Sequence, residues 1–446
     1  MSTLRVLTSA GVPVEVYGQR EAQLQRVLIA YIVIALIFML LPGTFLGVWN
    51  LISISSQHDL QTLSPAWMQA HGHAQIFGWI GTFILGIGFY SLSKMGGMPA
   101  YAVPRAWVTL AFWTLGVCAR WHAGVTQWHW RILLPGSAVF ELVAFLIFFQ
   151  TVSGHRPSSG TTRRPEPWML MVIASTVGFL FSLTLNLVAA CEAAWIGMGP
   201  ALAHGPDQRL VALQAWGFLV PAIWGFNARW LPVFLGLKAP QAGFLFAALA
   251  LAWLSILSGF LRSPQISAAI LPVAAICAIL ALHVWEKPAQ PPKIQGVHPT
   301  FPVFIRISYM WLLVATILWV WAAWADRSGG IWGAARHALT VGFISTMVFC
   351  IGQRVLPAFG GGRVLYSPTL MFASLLALTV GCALRVSSEI PAYEGYWQGA
   401  WRILPVSAVV ELTAVSLFAA NLLLTFTQPP AHLRAPTALE ASPPRI

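Results

Sequence analysis

The chain has 446 residues, 58% hydrophobic and only 9% charged, with a formal charge of +12. A soluble protein carries roughly a quarter charged residues, so a water-exposed globule is excluded and an all-α polytopic membrane protein is expected. The positive charges stand singly between apolar runs, so they mark topology and form no patch for nucleic acid.

A helix crossing a bilayer needs about 20 mostly apolar residues. Residues 1–26 are too polar for a secretory signal, so the first span is expected to stay as an anchor in the lipid bilayer. Spans are predicted over 27–52, 70–93, 104–120 and 131–151. After the polar stretch SGHRPSSGTTRRPEP (153–167) come 168–195, 210–235, 242–261 and 266–285. After EKPAQPPKIQGVHP (286–299) come 302–325, 334–358, 366–386 and 402–427. Pro, Gly, Ser and basic residues make both stretches solvated linkers. They divide one membrane domain into units at 27–151, 168–285 and 302–427. The five cysteines have no CxxC spacing, and neither a disulfide nor a zinc role is read from them.

Repeats support the division. The segment 73–97 aligns without a gap onto 337–361, with His73, Ala74, Gly78, Ile80, Thr82, Ile87, Gly88, Leu92, Gly96 and Gly97 identical. A weaker copy, 215–236, matches 340–361 through Gly217, Phe218, Arg229, Leu231, Pro232, Phe234 and Gly236. The fourth helices match as WRILLPGSAVFELVAF (130–145) and WRILPVSAVVELTAV (401–415). Four crossings return the chain to its starting side, so the expected architecture is twelve transmembrane helices as three parallel four-helix repeats around an axis along the membrane normal. The larger share of the 25 Lys and Arg falls on the side of the termini, which places both termini in the cytoplasm.

His71, His73, His122, His129 and His337 then belong to the outer half or outer loops. Residues two apart on a helix are turned by about 200°, so His73 is expected to be helical and inward, with His71 in the preceding turn. His73 and His337, at equivalent places in two repeats, should lie at one depth, as bis-histidine ligation of one haem b requires. The plainer alternative is a histidine tolerated at the interface. Gly78, Gly81, Gly86 and Gly88 permit close approach by a flat cofactor or by another helix. Arg336 and Arg131 could pair with haem propionates or simply sit at the interface. His122 and His129, among Trp121, Trp128 and Trp130, could join His71 around copper, or belong to an aromatic belt. Glu141 and Glu411 occupy equivalent places within the fourth and twelfth spans, where an ionisable group is costly. They could serve a proton path, or link helices by hydrogen bonds.

These motifs resemble those of the NnrS proteins of bacterial nitric oxide metabolism. The family's His-x-His, followed three residues later by Phe-Gly, stands here as HGHAQIFG (71–78), and its His-Ala-Leu-Thr-x-Gly as HALTVG (337–342). The resemblance covers most of the chain at the level of twelve helices. It implies a haem- and copper-containing protein of the bacterial inner (cytoplasmic) membrane, with nitric oxide as a small ligand and an electron-donor protein as partner. Ala74 replaces the acidic residue usual after the second histidine, and the family's Phe-Arg-Pro-Phe before the first helix is absent. The three-arc plan is also similar to haem-copper oxidase subunit I, whose second and tenth helices supply the axial histidines of a low-spin haem. The copper ligands there come from the sixth and seventh helices. Here 210–235 and 242–261 contain no histidine, so an oxygen-reducing terminal oxidase is not expected. A cofactor-free transporter with parallel repeats is the competing reading.

Overall fold

The computed structural model describes residues 14–95, 102–154 and 166–430. Most of the 153–167 linker, the Gly96–Gly97 end of the first repeat copy and the basic residues of both tails lie outside the described residues. Among those described there is no strand, and twelve helices are long and apolar enough to cross a membrane. They are α1 Gln19–Gln57, α2 Pro65–Ser91, α3 Ala102–Thr126, α4 Trp130–Ser153, α5 Pro167–Ile196, α6 His204–Leu235, α7 Ala242–Phe260, α8 Pro264–Leu282, α9 Phe301–Ala325, α10 Gly330–Phe359, α11 Pro368–Tyr393 and α12 Ala400–Thr427. The chain is a multi-pass, all-α membrane protein. An even number of crossings puts the short loops before α2, α4, α6, α8, α10 and α12 on the face opposite the termini, termed the distal face below.

Helices α2, α6 and α10 start earlier than hydropathy suggests, α2 and α10 behind side-chain caps. α2 begins at Pro65 rather than residue 70: the Ser64 hydroxyl accepts from the Ala66 N–H at 3.3 Å, and Pro65 sits where its missing N–H costs nothing. α6 begins at His204 rather than 210, with Asp207 in its first turn, favourable to the helix dipole. α10 begins at Gly330 rather than 334: Gly329 takes φ +87°, and the Asp326 carboxylate accepts from the N–H groups of Gly329 and Trp332, both at 2.6 Å. The first of these corrects the expectation for His71, which lies inside the helix and not in a preceding turn.

Within each set of four the first helix packs on the second and the third on the fourth. Between sets α4 packs on α5, α8 on α9 and α12 on α1, so the twelve form a closed ring. α2, α6 and α10 are its innermost members. Their most apolar stretches are 72, 78 and 72% buried, against 28–56% for the other nine. Trp79 of α2 meets Phe349 of α10 edge-on at 6.1 Å, and Asn227 of α6 donates to the Tyr309 hydroxyl of α9 at 2.8 Å. Polar side chains can serve as such interhelical links because lipid offers them no other partner.

Four helices widen into a π-helical stretch: Met39–Phe45 in α1, Ala74–Gly81 in α2, Leu213–Leu219 in α6 and Ala338–Ser345 in α10. Such stretches recur at functional sites and loosen the regular carbonyl ladder. Neighbouring side chains take up the carbonyls. Trp113 Nε1 of α3 donates to Phe77 O at 3.2 Å, Ser175 of α5 donates to Phe218 O at 2.9 Å, and Ser345 donates to Thr340 O at 2.7 Å. In α1 the acceptor is Gly43 O and the donor is His71.

Candidate functional site

The distal halves of α2, α3 and α4 bring His73, Arg120 and Glu141 together. His73 Nε2 lies 2.6 Å from Glu141 Oε1, and Asn186 of α5 donates to Glu141 Oε2 at 3.3 Å. Glu141 is fully buried. It sits there because Gly116 of α3 has no side chain: a Cβ would come within 2.7 Å of Glu141 Cγ. Arg120, one turn beyond Gly116 and 4% exposed, interacts electrostatically with Glu141 and Asp207. A buried carboxylate at this depth is tolerable only with such partners.

The third repeat holds the same parts in a different arrangement. Gly381 of α11 gives room to Glu411 of α12, with Glu411 Cγ 2.6 Å from where a Cβ would stand. Arg385 follows Gly381 by one turn, as Arg120 follows Gly116. His337 of α10 does not bond Glu411. Its Nδ1–H donates to Gly333 O at 2.9 Å and lies 3.1 Å from Glu389 Oε2. Arg385 grips Glu389 with two contacts, Nε–Oε2 at 3.1 Å and Nη2–Oε1 at 3.3 Å. Glu411 Oε1 is buried without a hydrogen-bond partner.

His71 joins the second group. Its ring rests on α1, where Nδ1 donates to Gly43 O at 2.9 Å. A Cβ on Gly47 would stand 2.5 Å from His71 Cε1, so glycine at 47 is what lets the ring lie there. His71 interacts electrostatically with His337 and Arg385. A carbonyl only accepts, so Nδ1 carries the proton in both His71 and His337. In the neutral ring each Nε2 would then be a lone pair, the state in which imidazole ligates iron or another metal. His73 differs, because its Nε2 is committed to Glu141. Of the three histidines, His73 alone has its Nε2 in a hydrogen bond.

The other expected site residues divide. Arg336 belongs to the cluster: it is bonded through Nη2 to Gln208 Oε1 at 2.8 Å and interacts electrostatically with Asp207 and Glu389. Asp207, at the start of α6, thereby meets both Arg120 and Arg336 and ties the first group to the second. Arg131 lies elsewhere, donating to the α5 carbonyls Ala194 O and Gly197 O at 3.1 and 3.3 Å and so capping that helix. His122 and His129 pack edge-on against Trp128, at 5.7 and 4.2 Å, and His129 is exposed. They are not gathered with His71: among the described residues no three His, Cys, Asp or Glu side chains are grouped as a metal ion would need. Sequence reasoning missed Arg120, Arg385, Glu389, Asp207 and Asn186. For the arginines a signal existed in GVCAR (116–120) and GCALR (381–385), a Gly-x-x-x-Arg shared by the third helices of two repeats.

Residues 293–425 match a family described as "Domain of unknown function (DUF8744)". The match begins in the linker before α9 and ends within α12, so it covers the set that holds His337, Arg385, Glu389 and Glu411. No curated protein matches the chain.

Proposed function

We propose that this chain is a haem-binding membrane protein of nitric oxide response or redox metabolism, with a b-type haem held between α2 and α10 by His71 and His337. The observation that carries the reading is the matched pair of imidazoles. Each has its Nδ1–H anchored on a backbone carbonyl and its Nε2 free, and the two are electrostatically coupled. Two neutral imidazoles are the donor set of a low-spin haem, and the neighbouring guanidinium groups of Arg336 and Arg385 suit its two propionates. Haem would supply one-electron chemistry, and a small neutral ligand such as nitric oxide would bind it by displacing one imidazole. The protein's part is to hold both rings in one tautomer and to keep the cationic end of the site buried. An electron-donor partner belongs to this reading, as does an inner membrane with the termini in the cytoplasm, on the Lys and Arg bias of the loops.

The test is an absorption spectrum of the protein purified from haem-replete cells. A Soret band with the sharp α and β bands of a six-coordinate, low-spin haem on reduction is expected. Its absence from protein shown to be folded would sink the reading.

One observation favours a second reading, a cofactor-free transporter. The buried His73–Glu141 pair and the unpartnered oxygen of Glu411 are groups whose protonation could accompany transport. A colourless protein that acidifies proteoliposomes during solute uptake would establish it in place of the first.

A further inference from the structure

Two grooves open outward on either side of α7 at its distal end. One runs between α6 and the start of α8, and its lining includes His204, Gln208, Arg209, Trp216 and Pro264. The other lies between α5 and α7, lined by Phe181, Leu185, Val188 and Trp253. Ile256 and Phe260 border both, so α7 presents a ridge with a groove on each flank. The Arg209 guanidinium stands over the Phe260 ring at 5.8 Å, at the head of that ridge. From His204 to Trp216 the first groove extends about 18 Å along α6, close to the depth of one leaflet of a bilayer. The second is apolar except for Thr184, whose hydroxyl already donates to Leu180 O. Phe181, Val188 and Phe260 are exposed on the outside of the helix ring, where lipid is the solvent.

The charges at this rim are one-sided. Neither groove is lined by an aspartate or a glutamate. Among the described residues no carboxylate pairs with Arg209. Asp207, two residues earlier, is turned about 200° away around α6 and engages Arg336, Arg120 and His204. Arg262 is exposed in the turn between Phe260 and Pro264, both of which line the first groove, and so puts a second cation at the same rim.

We infer that this pair of grooves holds one anionic diacyl phospholipid, such as phosphatidylglycerol, in the distal leaflet. Its phosphodiester pairs with Arg209 and Arg262, and its two acyl chains descend on either side of Ile256 and Phe260. A ridge flanked by two grooves calls for two apolar limbs that meet at one charged head, which a single-tailed molecule does not supply. The unopposed cations call for a head of net negative charge, since the ammonium of phosphatidylethanolamine would find no carboxylate here and would face Arg209 instead. A phosphate beside an unpaired guanidinium makes a charge-assisted contact, and partial withdrawal from water strengthens it. The site also bears on the histidine cluster. Gln208, in the groove's wall, accepts from Arg336 at 2.8 Å, so the lipid braces the helix start that carries Gln208 and Asp207. Binding requires no haem and stands apart from that reading.

The test is native mass spectrometry of the delipidated full chain, titrated with phosphatidylglycerol, phosphatidylethanolamine and lysophosphatidylglycerol of the same acyl chain. One tightly held phosphatidylglycerol per chain is expected, with the zwitterionic and the one-chain lipid each bound about tenfold more weakly. Arg209→Gln should weaken phosphatidylglycerol binding about five- to tenfold, the loss of one charged hydrogen bond, at unchanged helical content. Arg262→Gln should weaken it by a smaller factor. Arg402→Gln, on the same face at the start of α12, should leave it unchanged. Equal affinity for phosphatidylglycerol and phosphatidylethanolamine, or for one- and two-chain lipids, would overturn the inference. So would parental affinity in Arg209→Gln, an equal loss in Arg402→Gln, or displacement of the lipid by decylubiquinone at matched concentration.

Discussion

The first and third repeats hold the same trio of histidine, arginine and glutamate, yet bond it differently. In the first, His73 reaches across to Glu141 at 2.6 Å, and Arg120 stands behind. In the third, Glu389 intervenes, pairing with Arg385 and drawing the Nδ1 side of His337, while Glu411 is left with an unpartnered oxygen. The place four residues after Arg120, where Glu389 would fall, is Gly124, which packs against the Ala66 carbonyl of α2. The third repeat thus has one more carboxylate than the first, and its histidine bonds the Gly333 carbonyl of its own helix instead of the glutamate of the last helix. The lesson is that repeated residues at repeated positions need not share a role. In the first site the glutamate links helices through His73 and Asn186, and in the third Glu411 makes no such link through Oε1.

The largest effect should come from testing which histidines differ. His71→Ala and His337→Ala should each abolish the low-spin haem spectrum, whereas His73→Ala should leave its band positions unchanged. Loss of the spectrum in His73→Ala with retention in His71→Ala would restore the pair expected from the repeat. Next in size is the asymmetry of the glutamates. Glu141→Leu strips His73 and Asn186 of their partner and should cost about 2–3 kcal/mol in thermal unfolding in detergent, the penalty of stranding buried polar groups. Glu411→Leu removes a group already short of a partner and should be neutral or slightly stabilising; equal losses in the two variants would erase the distinction drawn here. Smaller again is Gly47→Ala. Its methyl would overlap His71 Cε1, so the ring must shift from Gly43 O, and the haem should bind more weakly and with a broadened spectrum. An unaltered spectrum and affinity would show that the seat on α1 is dispensable.

The smallest effect belongs outside the membrane, at the loop after α8, where the repeats' contrast plays no part. Glu286 meets Lys238 at 2.9 Å and His283 at 2.6 Å, and hydrogen bonds from Lys238 and then His283 hold its carboxyl below the usual range. A depressed carboxyl stabilises above its unfolded pKa and loses that contribution as pH falls through the folded one. Melting curves from about pH 6 down to about pH 3 should therefore show a shallow acid-side decline that Glu286→Gln lacks. The contribution is minor because Glu286 and Lys238 are exposed; a slope identical in parent and variant would mean the contacts are without consequence.

Apolar length and the placement of the linkers made twelve crossings legible, because lipid admits no other structure for an apolar run of that size. The recurrence of His73 as His337 and of Glu141 as Glu411 marked the second, tenth, fourth and twelfth helices as the place to look. The start of α2 was missed since Ser64 and Pro65 cap it outside the apolar run, and with it the helical setting of His71. Arg385 and Glu389 were missed because charges one turn apart near the end of a span resemble interfacial residues until the neighbouring helices are in place. Arg131, legible as a cation beside the site, instead caps α5, a role fixed by a helix from the next repeat.

The sequence by itself thus determined the class of the protein and the number of its helices, both of which depend on composition and periodicity along one chain. Which histidine offers a free nitrogen was decided only in three dimensions. His73 lost its Nε2 to a glutamate on α4, and His71 kept its own because two glycines of α1, Gly43 and Gly47, brought a carbonyl and an open surface beneath its ring. Hydrogen bonds are made between helices that only packing brings within 3 Å of one another, and no spacing along a single helix encodes that approach.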